Sequence, residues 1–109
     1  MKNKTEPFYD LAKVQKLVKS GKYFTSIRLR KYLTNQGFVT DETIEDVICS
    51  IQSHHYYKTD ELQNRPGIYA DIYRHIECYE IEWYVKFFFD KEEEPCLSIW
   101  SLKEDGYQF

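Results

Sequence analysis

The sequence predicts an α+β domain in which N-terminal helices pack on a C-terminal antiparallel sheet. Apolar residues recur at helical spacing in the first half of the chain and alternate in the second. The period changes near residue 55, so 1–55 reads as mainly helical and 56–109 as mainly strands. The 109 residues suit a single domain, 1–109, with one modest core. Helices followed by strands with short connections favour helices on one face of an antiparallel meander.

Leu11, Val14, Leu17 and Val18 form the stripe of a first helix that Gly21 ends, with Lys13, Lys16 and Lys19 on its wet side. Ser26 to Gln36 predicts a second, strongly basic helix carrying Arg28, Arg30 and Lys31. Ile27, Tyr32 and Leu33 are its expected buried side, and Gly37 its stop. Thr40 reads as the N-cap of a third helix, with Asp41 and Glu42 where the helix dipole favours them. Ile44, Val47, Ile48 and Ile51 give its i, i+3, i+4, i+7 stripe, which ends near His54.

A short strand is expected at Tyr56 to Thr59, and a turn-rich stretch follows from Asp60 to Gly67. In Ile68 to Ile76 the residues Ile68, Ala70, Ile72 and Ile76 are expected to point inward. Tyr69, Asp71, Tyr73 and His75 are expected to point outward. Tyr79 to Phe89 alternates more clearly, with Tyr79, Ile81, Trp83, Val85, Phe87 and Phe89 on one side. Asp90 to Pro95 reads as a charged hairpin loop, and Cys96 to Leu102 as the last strand.

The formal charge of −3 hides a polarity. Residues 1–40 carry nine Lys/Arg against Glu6 and Asp10, a net of +7, and residues 41–109 carry six against sixteen Asp/Glu, a net of −10. Such a basic half can face a polyanion, the chain's own acidic half or an acidic partner. Cys49, Cys78 and Cys96 are an odd set without a CxxC pair, which fits reduced thiols in the cytoplasm. The start, MKNKTEPFYD, has no apolar segment of the signal-peptide kind. The apolar run from Trp83 to Phe89 is too short to span a bilayer, so no membrane role is expected.

No metal and no cofactor is expected. His54 and His55 are adjacent, and His75 and Cys78 have ligand-like spacing but no second pair. No glycine-rich phosphate loop is present, and Cys49 lies beside an apolar stripe where a thiol is an inert small hydrophobe. The strands are more informative. Their polar-looking positions hold Lys58, Tyr73, Arg74, His75, Tyr84, Lys86 and Lys103. On composition alone, amphipathic side chains snorkelling at a sheet edge are the better account of such residues, and the order of short strings is what shifts it.

Four short strings occur in order: Tyr56-Tyr57-Lys58-Thr59, Ile68-Tyr69-Ala70-Asp71-Ile72-Tyr73-Arg74, Trp83-Tyr84-Val85-Lys86 and Ser101-Leu102-Lys103-Glu104. They resemble the "FYKS", "WQDVYR", "YLK" and "SFKE" strings of the MqsR toxins, behind similar helices, from about Leu11 to Glu104. The resemblance implies a RelE-like fold. It also implies a metal-independent endoribonuclease that cuts mRNA, at GCU-containing sites in the best-known members, and a cognate antitoxin. It places the catalytic roles on Lys58, Tyr84 and Lys103. The family's Gln falls on Ala70, whose methyl group has no hydrogen-bonding capacity. His75 or Gln63 could cover that role, or activity could have drifted towards a weakened RNA- or protein-binding module.

Metal-free RNA cleavage uses the 2′-hydroxyl as nucleophile. It needs a base, an acid and cations for the phosphate. Lys58 and Lys103 are the cations and Tyr84 a proton donor. Tyr57 and His55 could stack a base, and Tyr73, Arg74 and His75 complete the expected substrate-binding set.

Overall fold

The computed structural model describes residues 6–90 and 97–107. The elements run α1 (Leu11–Lys19), β1 (Tyr23–Thr25), α2 (Ile27–Asn35), α3 (Thr40–Cys49), a 3-10 turn (Ser53–His55), β2 (Tyr56–Glu61), β3 (Tyr69–Cys78), β4 (Ile81–Phe89) and β5 (Leu97–Glu104). Three helices therefore precede the main strands, and the α+β reading holds. Most of the expected charged hairpin loop, and Cys96, lie outside the described residues. Among the described residues no helix is long and apolar enough to cross a membrane.

Local chemistry sets the helix boundaries. The Asp10 carboxylate accepts from the Ala12 N–H to open α1, and the Ser26 hydroxyl accepts from the Leu29 N–H to open α2. Thr40 is the first residue of α3 and not its cap; Val39 takes the cap position without a side-chain bond. The helix stops at Cys49, earlier than expected, and the histidines fall in the separate 3-10 turn. Ile27 corrects a second expectation. It occupies the first turn of α2 and is 74% exposed, while Leu29 joins Tyr32 and Leu33 in the core.

The sheet order is β1-β5-β4-β3-β2. β2 to β5 form the expected antiparallel meander, but β1 pairs with β5 in parallel, so the sheet is mixed. Three residues, Tyr23 to Thr25, are too short to show alternation. β3 and β4 are joined by Tyr79 and Glu80, whose φ angles of 57° and 62° suit a two-residue hairpin turn. Tyr79 is thus a turn residue, stacked on Phe38 at 5.8 Å and bonded through its hydroxyl to Asp46.

One sheet face, the closed face, packs against the helices. Leu29, Leu33, Ile44, Val47 and Ile48 meet Trp83, Val85, Phe87, Leu97, Ile99 and Leu102 there. β3 uses its residues in the opposite sense to the expected one. Asp71 sits opposite Phe87 and Tyr73 opposite Val85, both on the closed face, while Ile72 sits opposite Lys86 on the other, open face. A bulge at Arg74 and His75 then shifts the phase and returns Ile76 to the closed face, opposite Trp83. The expected order of inward isoleucines assumed an unbroken strand.

Asp71 explains why a carboxylate can point inward. It is fully buried and accepts from the Phe8 N–H at 2.9 Å, the Tyr9 N–H at 2.8 Å and the Thr59 hydroxyl at 2.6 Å. Three donors replace the lost water and clamp the approach to α1 onto β2 and β3.

Candidate active site

The open face takes its candidate side chains from all four antiparallel strands. Lys58 on β2 is opposite Ile72, Ile72 is opposite Lys86, and Lys86 is opposite Ser101. Two residues further along, Tyr84 is opposite Lys103. Because cross-strand partners share a face, Lys58, Lys86, Tyr84 and Lys103 all lie on the open one.

Three register breaks lie along this face, at Tyr57 in β2, at Arg74–His75 in β3 and at Trp100 in β5. A bulge re-aims side chains and sharpens the local twist. At β3 it lets Arg74 reach past β4 to Asp105, just beyond β5, with bonds of 2.8 and 3.3 Å. The same carboxylate accepts from the His75 N–H at 3.2 Å. The His75 ring Nδ1 lies 2.9 Å from Glu82, and the residue's φ of 61° belongs to the bulge. Arg74 is thereby held in the cleft that Tyr84 also lines.

Aromatic rings carry the cations. The Arg74 guanidinium stands 5.0 Å, and Lys58 Nζ 5.4 Å, from the centre of the Tyr57 ring. Lys103 Nζ stands 5.1 Å from the centre of the Tyr84 ring. One cleft is lined by Arg28, Arg74, Tyr84, Lys103, Asp105 and Tyr107. A second, lined by His55, Tyr57, His75 and Glu82 among others, shares Arg74 as its wall.

Protonation follows from these surroundings. Burial pushes the Tyr84 phenol above its ordinary value, helped by the nearby charges of Asp60 and Asp105 and opposed by Arg74. Burial pulls the Lys103 ammonium below its ordinary value, opposed by Asp105. Asp105 is pushed up by burial, but the Arg74 bond and the His75 N–H outweigh that and hold its carboxyl below the usual range. Burial and the neighbouring His54 depress His55, whose Nδ1 accepts from the Gln52 N–H at 2.9 Å. Burial therefore favours the protonated phenol of Tyr84 and the neutral amine of Lys103, next to the guanidinium of Arg74.

The expected site residues do not all converge. Tyr84 and Lys103 are direct cross-strand partners. Lys58 is two strands and two residues from Tyr84, roughly 12 Å at the backbone, and its amine lies 3.5 Å from Asp60. Tyr57, His55, Arg74 and His75 line the adjoining cleft. Tyr73 is corrected: it is fully buried on the closed face, between Tyr56 at 5.7 Å and Phe87 at 5.7 Å, out of reach of any ligand. Ala70 is also fully buried, and Gln63 lines a neighbouring cleft with Lys86, Phe88 and Trp100.

Asp105, Lys86 and Arg28 are the residues that sequence reasoning did not assign to the site. The register is the signal that could have found the first two: pairing Tyr84 with Lys103 places Lys86 beside them and brings Asp105 to the Arg74 bulge. The structure also adds a group that sequence spacing hid. His75, Glu82 and Asp105 each offer one metal-ligand atom, all within 4.8 Å of one another. Arg74 already supplies a positive charge to the same Asp105 carboxylate.

Residues 6–104 match the family described as "Motility quorum-sensing regulator, toxin of MqsA". No curated protein matches the chain.

Proposed function

The chain belongs to the MqsR toxin family and is the toxin of a toxin–antitoxin pair, and from that premise we propose that it is a cytoplasmic endoribonuclease that cuts mRNA without a metal. The observation that carries this reading is the pairing of Tyr84 with Lys103 beside an Arg74 tethered to Asp105. A nuclease of this class needs a proton acceptor, a proton donor and a cation around one phosphate, and these three side chains supply them.

Lys103, neutral after release of its proton, takes the proton of the 2′-hydroxyl. The 2′ oxygen then forms a bond to phosphorus as the bond to the 5′ oxygen breaks. Tyr84 gives its proton to that leaving oxygen. Arg74 and, from further along the face, Lys58 offset the charge gathering on the phosphate oxygens. The products are a 2′,3′-cyclic phosphate and a 5′-hydroxyl. Tyr57 and His55 present ring faces for a base next to the scissile bond, and His75 flanks the same cleft.

A second reading, a weakened RNA- or protein-binding module on the same fold, is favoured by Ala70. A buried methyl group stands where the family carries a Gln, and it offers no hydrogen bond to phosphate or base. One experiment separates the two. Purified protein is incubated with RNA in EDTA and the product ends are identified. Fragments ending in 2′,3′-cyclic phosphate and 5′-hydroxyl support the nuclease, and intact RNA at high protein overturns it.

A further inference from the structure

We infer that the RNA strand leaves the Tyr84–Lys103 cleft over helix α2, along a basic groove that binds nucleotides flanking the cut. The inference rests on the nuclease reading and names the substrate path that this reading leaves open.

Two adjoining concavities share the same two residues. The candidate active-site cleft ends at Arg28 and Tyr107. The next is lined by Ile27, Arg28, Lys31, Tyr32, Asn35 and Tyr107. A strand emerging past Lys103 therefore meets a continuous groove. Its described lining has two cations, an amide and apolar or aromatic surface, and no carboxylate. Tyr107, 44% exposed, packs on Tyr32 with ring centres 4.6 Å apart. It offers a face on which a base can stack. Ile27, 74% exposed in the first turn of α2, lies on the same wall.

The competing direction along the open face has no net positive charge. There the cleft lined by Lys86 and Trp100 sets Asp60 and Glu61 against Arg65 and Lys86. A balanced lining gives a phosphate chain no net attraction, whereas Arg28 and Lys31 attract it. The contrast gives the concentration of positive charge in the first forty residues a role that net charge conceals. RNA steered by this groove binds a protein whose formal charge is −3. Continuity with the cleft favours RNA as the occupant over an acidic segment of a protein partner.

The test uses non-cleavable 2′-O-methyl RNA, as a trimer and as a twelve-nucleotide strand, with binding read by fluorescence anisotropy at several salt concentrations. The full-length protein is compared with Lys31→Glu, Lys31→Arg and Arg28→Ala, each checked by thermal melting. Both residues are exposed on α2, so the variants should melt like the wild type. We expect Lys31→Glu to weaken the longer strand about tenfold and to leave the trimer unchanged. Its salt slope should fall by about 0.7, the share of one phosphate contact on a single strand. Lys31→Arg should bind as the wild type, and Arg28→Ala should weaken the longer strand. Equal affinity of wild type and Lys31→Glu for that strand, or no length dependence in the wild type, would overturn the groove. So would loss of antitoxin binding by Lys31→Glu with RNA binding intact. Binding does not require cleavage. A wild type that binds by length here but leaves unmodified RNA intact in the EDTA cleavage assay would remove the nuclease reading and keep the groove.

Discussion

The two faces of the sheet use the same residue types for opposite purposes. On the closed face Tyr73 is fully buried, its hydroxyl has no partner among the described residues, and Asp71 is saturated by three donors. On the open face, one strand away, Tyr84 is half-buried beside Lys103, and Asp105 holds a guanidinium in a cleft. The closed face spends its polar groups on holding elements together. The open face keeps its polar groups where a ligand can reach them. Stability and chemistry should therefore respond to different substitutions.

The largest effect is expected on the closed face. Trp83 is fully buried, donates from its indole N–H to the Cys78 carbonyl at 2.9 Å and packs against Phe38 with ring centres 5.4 Å apart. Trp83→Ala should cost about 3–5 kcal/mol of folding stability through the cavity it leaves. Chemical denaturation measures this, and a loss below about 1 kcal/mol would break the contrast between the faces. Lys103→Ala on the open face should leave the denaturation midpoint near the wild type. It should slow RNA cleavage by at least ~10²-fold, equivalent to about 2.7 kcal/mol of barrier.

The pH dependence sharpens the same contrast. An amine lowered from its ordinary value becomes neutral at lower pH, so cleavage should rise as pH climbs through the Lys103 titration. A phenol raised from its ordinary value stays protonated to higher pH, so cleavage should fall only as pH passes the Tyr84 titration. The rate profile should be bell-shaped, and Lys103→Ala should remove its acid limb. An acid limb that survives in that variant would move the proton acceptor to another residue.

Much of this arrangement was legible in the sequence, for identifiable reasons. The helical stripes of α1 and α3 and the alternation of β4 are long enough to fix element type and buried side. β1 was not legible because three residues carry no period. The orientation of β3 was not legible because the bulge at Arg74 and His75 breaks the alternation, and Asp71 looks like an outward residue until its donors from residues 8, 9 and 59 are in place. Tyr73 was misassigned for the same reason. Lys58, Tyr84 and Lys103 came from short strings shared with a family, and strand pairing puts them on one face. Asp105 and Arg28 escaped because neither belongs to a string. Each acquires its place only when β5 and α2 are packed.

The smallest structural change gives the sharpest comparison. Tyr73→Phe and Tyr84→Phe each delete one hydroxyl, on opposite faces of neighbouring strands. Tyr73→Phe removes a buried polar group without a partner, so stability should hold or rise by up to about 1 kcal/mol, with cleavage unchanged. The most direct measurement is the single-turnover RNA cleavage rate of these two variants against wild type, alongside their melting curves. The account predicts a loss of at least ~10²-fold for Tyr84→Phe alone, with both variants folded. Equal rates for the two variants, or a loss confined to Tyr73→Phe, would contradict it.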